Sequence, residues 1–118
     1  MKLNEELNEL YQLFSKLVLI AIRKGLRLII ENPWSKEHYL TKYFPIKAKL
    51  IDLDRSQRGD NMKKPTQYWF INCEPKNNKV DEEIEVVSER IREQDVGTSK
   101  RSLISPTYAR IFIKEFIL

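Results

Sequence analysis

A chain of 118 residues can bury one hydrophobic core but hardly two, so a single domain over residues 1–118 is expected. With 42% hydrophobic and 32% charged residues it has the balance of an ordinary globular protein, which sets intrinsic disorder aside. One Cys and one His exclude an internal disulfide and leave too few ligands for a zinc centre, so no metal and no cofactor are expected.

The longest apolar stretch, Leu17 to Ile22, is far short of the ~20 residues that a membrane span needs, so no membrane partner is expected. No charged-then-apolar leader runs into a small-residue cleavage site, which makes the cytoplasm the expected compartment. The net charge of +4 is unevenly spread. From Lys36 to Lys64 eight Lys/Arg stand against four Asp/Glu, a net of +4, and from Glu74 to Asp95 eight acids stand against four bases, a net of −4. A basic middle beside an acidic stretch suits a face for an anionic partner, and it suits a solvated surface equally.

In chain order, Leu3, Leu7, Leu10, Phe14, Leu17 and Ala21 recur at alternating spacings of four and three, predicting a helix with one continuous apolar stripe. Gly25 after Arg23 and Lys24 is its expected stop. Leu26 to Ile30 predicts a short strand with no polar face, the habit of an interior, parallel-type position, ended by Asn32 and Pro33. Ser35 is placed to cap a short helix through about Tyr43, and Pro45 stops it. Around it Trp34, Tyr39, Tyr43 and Phe44 form either a stacking platform or, more commonly for such a cluster, a satellite core.

Lys49 to Leu53 reads as a second strand, Asp54 to Thr66 as a polar loop, and Gln67 to Cys73 as a third strand rich in aromatic and β-branched residues. Glu74 to Asn78 is a turn cluster. Val80 to Gln94 fits a helical and an alternating period alike, and Val96 to Lys100 reads as a loop. At the end Ser105 caps, Pro106 takes the first turn, and Ala109, Phe112, Ile113 and Phe116 give a final apolar helix. The order predicts an α/β fold: a small three-stranded mixed sheet with N-terminal and C-terminal helices.

Two segments carry a resemblance. Ile30-Glu31-Asn32-Pro33 closes one apolar run, and Lys64-Pro65-Thr66-Gln67-Tyr68-Trp69 opens another. Together they resemble the second half of a cytosine-C5 DNA methyltransferase of the reduced kind found on phages and mobile elements. In that family a buried strand ends in Glu-Asn, a connecting helix follows, and a hairpin's second strand begins with a Lys-Pro-Thr-x-x-Trp-like run. Gln57-Arg58 is weakly similar to the run that orients the base-reading side of the site. The match covers roughly residues 5 to 75, with a weaker one over 101 to 118. It implies a partial Rossmann-like methyltransferase sheet. It also implies that Glu31 stands where the family's glutamate contacts the flipped cytosine and helps to protonate it.

The departures weigh as much. The family's glycine-rich methyl-donor turn has no counterpart, since Gly25, Gly59 and Gly97 are isolated. Its Pro-Cys nucleophile lies upstream of Glu-Asn, whereas Cys73 lies downstream between Asn72 and Glu74 and is expected to pack as a small apolar residue. No catalytic residue is therefore expected.

The candidate base contacts are Glu31 and Asn32, against the plainer reading that they make turn and cap hydrogen bonds where the strand stops. The candidate nucleic-acid contacts are Arg55, Gln57, Arg58, Lys63 and Lys64 on a flexible loop, against a solvated hairpin tip. His38 reads as a structural helix residue rather than a general base. The acidic run Asp81 to Glu85 could mimic phosphates or form one wet helix face. Leu3, Leu7, Leu10, Phe14 and Leu17 are interface candidates, for a homodimer or for docking on a partner chain. The expected function is a non-catalytic, methyltransferase-derived module that engages DNA or a DNA-processing protein, one form being an inhibitor of a host defence nuclease. The alternative is half of a split DNA cytosine methyltransferase, active only with a partner chain.

Overall fold

A 23-residue α-helix, α1 (Lys2–Lys24), opens the chain. It contains no Gly or Pro, and Glu5 in its first turn and Arg23 and Lys24 in its last complement the helix dipole. Gly25 ends it with φ +67, and the Leu26 N–H returns to the Ala21 carbonyl at 2.9 Å. The computed structural model describes residues 2–81 and 104–118. The ambiguous Val80 to Gln94 stretch beyond Asp81, most of the acidic run, and the Val96 to Lys100 loop lie outside the described residues.

After α1 come β1 (Leu28–Pro33), α2 (Tyr39–Tyr43), β2 (Leu50–Asp52), a 3-10 turn (Arg55–Arg58), β3 (Thr66–Ile71), α3 (Pro106–Phe112) and a π-helical turn (Ile113–Ile117). The strands form one open sheet in the order β1-β3-β2, antiparallel where a mixed sheet was expected. The α/β class holds. The interior strand is β3, all six residues of which are buried, and β1 is an edge strand, half-buried from Leu28 to Asn32. The interior position expected for β1 from its run of three apolar residues is thus corrected to an edge, because such a run does not encode which strands pair with it. β1 also extends through Glu31, Asn32 and Pro33, although Asn32 and Pro33 were expected to end it.

The chain divides into two compact units, Met1–Ile51 with Gln67–Glu74, and Asp52–Thr66 with Pro75–Leu118. The core of the first is Phe14, Val18, Ala21, Leu40, Phe44, Trp69 and Ile71, with Leu28 and Ile30 of β1 packed against it. Phe14 meets Phe44 and Trp69 edge-on at 4.7 and 4.9 Å between ring centroids. Phe44 thus belongs to the main core, while Tyr43 of the same aromatic cluster is exposed. The Trp69 indole N–H donates to the Ile46 carbonyl at 2.9 Å, and the Asn72 side-chain amide, at φ 59, donates to the carbonyls of Ala21 and Leu26.

The buried face of α1 is Phe14, Val18 and Ala21, with Leu7, Tyr11 and Ser15 half-buried. Leu10 and Leu17, expected in the same stripe, are exposed. Most of the helix's circumference in its second half is apolar, so periodicity leaves the orientation open, and contact with Phe44 and Trp69 selects Phe14. The helix is amphipathic but not long and apolar enough to cross a membrane, and the same is true of every described helix.

In the second unit Asp54 caps the 3-10 turn by accepting from the Ser56 N–H at 3.0 Å, and Gly59 closes it at φ +89. A Cβ on Gly59 would lie 2.7 Å from Thr107 Cγ2, so the turn packs on α3 at a distance that only glycine permits. Ser105 caps α3 as expected: its Oγ accepts from the Tyr108 N–H at 3.0 Å and donates to the Gly59 carbonyl at 3.2 Å. The buried residues of this terminal helix are Tyr108, Ile111, Phe112 and Phe116, whereas Ile113 is exposed. The N–H groups of Lys76 and Asn78 bond to the carbonyls of Phe116 and Glu115, fastening the turn cluster to the helix end.

Candidate functional site

Glu31 and Asn32 sit within β1, so neither is a turn residue at the strand's stop. The pleat sends successive side chains to opposite faces: Asn32 shares a face with Leu28 and Ile30, whose side chains meet the core, and Glu31 points the other way. The two cannot read one base edge from the same side. Glu31 is half-buried as a residue, and its carboxylate makes no hydrogen bond or ion pair among the described residues. Beside it the backbone is pinned, because the Gln67 side-chain amide donates to the Pro33 carbonyl at 3.0 Å and to Thr41 Oγ1 at 2.9 Å. One buried glutamine thereby joins the end of β1, α2 and β3, a positioning role that the Lys-Pro-Thr-Gln run did not suggest.

The basic set falls into two groups. Arg55 is 1% exposed: its Nε donates to Asp60 Oδ2 at 2.8 Å, a second guanidinium nitrogen bonds the same oxygen, and its Cζ lies 5.0 Å from the Tyr108 ring centroid. Arg58 bridges Asp52 at 3.1 Å and Glu115 at 2.5 Å and lies over the Phe116 ring. Burial opposes the Arg58 charge, but the Glu115 hydrogen bond and the fields of Asp52 and Glu115 outweigh it and hold the pKa above the ordinary arginine value. Lys64 is buried as well, while Gln57 and Lys63 are exposed.

The segment is therefore a folded polar network and not the flexible loop expected, and Lys63 is its exposed cation. The Tyr108 hydroxyl donates to Asp52 Oδ2 at 2.9 Å and completes it. Asp52, Tyr108 and Glu115 were not anticipated, because Tyr108 lies 56 residues from Asp52 and Glu115 lies 57 residues from Arg58, with no local pattern to connect them. Next to the network, an open cleft of about 590 Å³ is bordered by Gln57, Arg58, Asn77, Asn78 and Glu115.

His38 serves as the N-cap of α2, its Nδ1 accepting from the Leu40 N–H at 3.3 Å. Burial disfavours the imidazolium and lowers its pKa below the usual 6.5. Because the folded-state pKa is the lower one, the cap's contribution is complete above the unfolded value and is lost as pH falls through the folded one. Urea titrations of wild type and His38→Asn, whose cap does not titrate, should therefore show wild type losing stability relative to the variant as the pH falls from 7.5 to 5. An unchanged gap between them would contradict the capping role. Cys73 is half-buried with Sγ 3.5 Å from the Ile71 carbonyl.

Of the interface candidates, Phe14 is buried in the first unit's own core, Leu7 is half-buried, and Leu10 and Leu17 are exposed; the Leu3 side chain lies outside what is described. Comparison with family models, with curated proteins and with solved structures finds no match.

Proposed function

We propose that this chain is a non-catalytic binding module of methyltransferase ancestry, phage or mobile-element in origin, that engages nucleic acid or a nucleic-acid-processing protein through Glu31. The observation that carries this is Glu31, a half-buried residue of an edge strand whose carboxylate has no partner among the described residues. A carboxylate without a protein donor has its acceptor capacity open to a ligand that donates a hydrogen bond to it. The exocyclic amino group of cytosine is such a donor. The Gln67 bonds to Pro33 and Thr41 hold the backbone beside Glu31, giving the carboxylate a fixed base. In this reading the sheet is the closing part of a Rossmann-like methyltransferase sheet, and inhibition of a host defence nuclease is one specific form of the function.

Phosphate contact from the 55–64 segment reduces to Lys63 and Gln57, because Arg55 and Arg58 are engaged in internal ion pairs and Lys64 is buried. Fluorescence-anisotropy titrations of labelled single-stranded and duplex DNA over a salt series test the proposal. Binding should weaken with salt, and Lys63→Ala should lower the slope by about 1. Glu31→Gln should reduce the preference for cytosine-containing strands. No binding at low salt sinks the direct nucleic-acid form.

The split-methyltransferase reading is favoured by one feature, the side of β1 that no strand covers among the described residues. It requires methyl transfer to appear when the chain is mixed with a partner carrying the Pro-Cys and donor motifs, and to vanish in Glu31→Gln.

A further inference from the structure

We propose that α1 docks antiparallel on α1 of a second copy of this chain. Leu10, Leu13, Leu17 and Ile20 follow one another at spacings of three, four and three, and each remains between 44% and 55% exposed. At ~100° per residue they form one stripe along a flank of the helix, turned about a quarter of its circumference from the buried Phe14, Val18 and Ala21. Isolated exposed leucines are ordinary, but four in heptad register are the seam of a helix pair.

The ends of that stripe say what covers it. One turn before Leu10 stands Glu6, and one turn after Ile20 stands Lys24, both exposed and neither paired among the described residues. The series Glu6, Leu10, Leu13, Leu17, Ile20, Lys24 is symmetric about its midpoint. An antiparallel copy therefore sets Leu10 against Ile20, Leu13 against Leu17, and Glu6 against Lys24, twice over by the two-fold axis. The exposed flank repeats the polarity, with Glu9 towards one end and Arg23 towards the other. Lys16 lies near the axis on this flank, where its long, solvated side chain can turn away from its mate. A parallel pair would instead place Glu6 on Glu6 and Lys24 on Lys24. Charge thus selects the occupant and its direction, independently of any ligand at Glu31.

Sedimentation equilibrium of the full chain tests this, with circular dichroism to verify that each variant is folded. Wild type should dimerise. Leu13→Glu/Leu17→Glu, at exposed positions, should weaken dimerisation by more than about a hundredfold while leaving the helix intact. Glu6→Lys alone and Lys24→Glu alone should each weaken it by about tenfold, and the two together should restore it. A monomeric wild type overturns the proposal. So does a dimer indifferent to Leu13→Glu/Leu17→Glu, and so do single charge reversals that change nothing.

Discussion

Replacing Arg55 or Asp60 with alanine is expected to cost about 3–5 kcal/mol, a large share of the stability of a chain this size. The side chains are 1% and 4% exposed, so removing Arg55 leaves the buried Asp60 carboxylate without this counter-ion, and removing Asp60 takes from the buried guanidinium the acceptor of two of its hydrogen bonds. Arg55 additionally packs its guanidinium against the Tyr108 ring, and Asp60 Oδ1 accepts from the Met62 N–H at 3.2 Å, so both substitutions also loosen the segment that follows the 3-10 turn. Equilibrium urea denaturation followed by circular dichroism measures the loss. The double replacement Arg55→Met/Asp60→Leu should cost less than either single alanine, since it removes both charges and refills the volume. Had Arg55 been a surface phosphate contact, its substitution would change stability by no more than about 0.5 kcal/mol. A loss that small would contradict the internal ion pair.

Trp69→Ala should be comparably severe, about 3–5 kcal/mol. The indole is 1% exposed in the middle of β3 and is held edge-on by Phe14, and its N–H satisfies the Ile46 carbonyl at 2.9 Å. Truncation opens a cavity at the junction of α1 with the interior strand and leaves that carbonyl without its donor. Trp69→Phe keeps most of the volume and should cost distinctly less. Denaturation followed at 222 nm reads both variants, and equal losses would show that the indole's fit and hydrogen bond carry no weight.

The elements themselves were legible because their signals are local. The apolar period of α1, Gly25 after two cations, the β-branched and aromatic run of β3, and Ser105-Pro106 before α3 all act within one or two turns of chain. Pairing was not legible. Leu28, Ile29 and Ile30 are equally consistent with an interior strand and an edge strand, and the antiparallel order follows from contacts between distant segments. The same limit hid the polar network: the charges of Arg55 and Arg58 look solvated until Asp60, Asp52 and Glu115 are brought to them. On α1, composition predicted an apolar helix but not which leucines would stay uncovered.

Glu31 was singled out from a motif and is placed in β1 with its carboxylate unpaired among the described residues, so its occupancy is the point on which the function turns. The most direct measurement is a heteronuclear NMR titration of the ¹⁵N-labelled chain with a short cytosine-containing single strand and a matched strand lacking cytosine. Binding at this site predicts shifts in the Glu31 and Asn32 amides and in the Gln67 side-chain amide, larger with cytosine and abolished in Glu31→Gln. Shifts confined to α1 or to the 55–64 segment, or none at all, would contradict the assignment of Glu31 as the ligand contact.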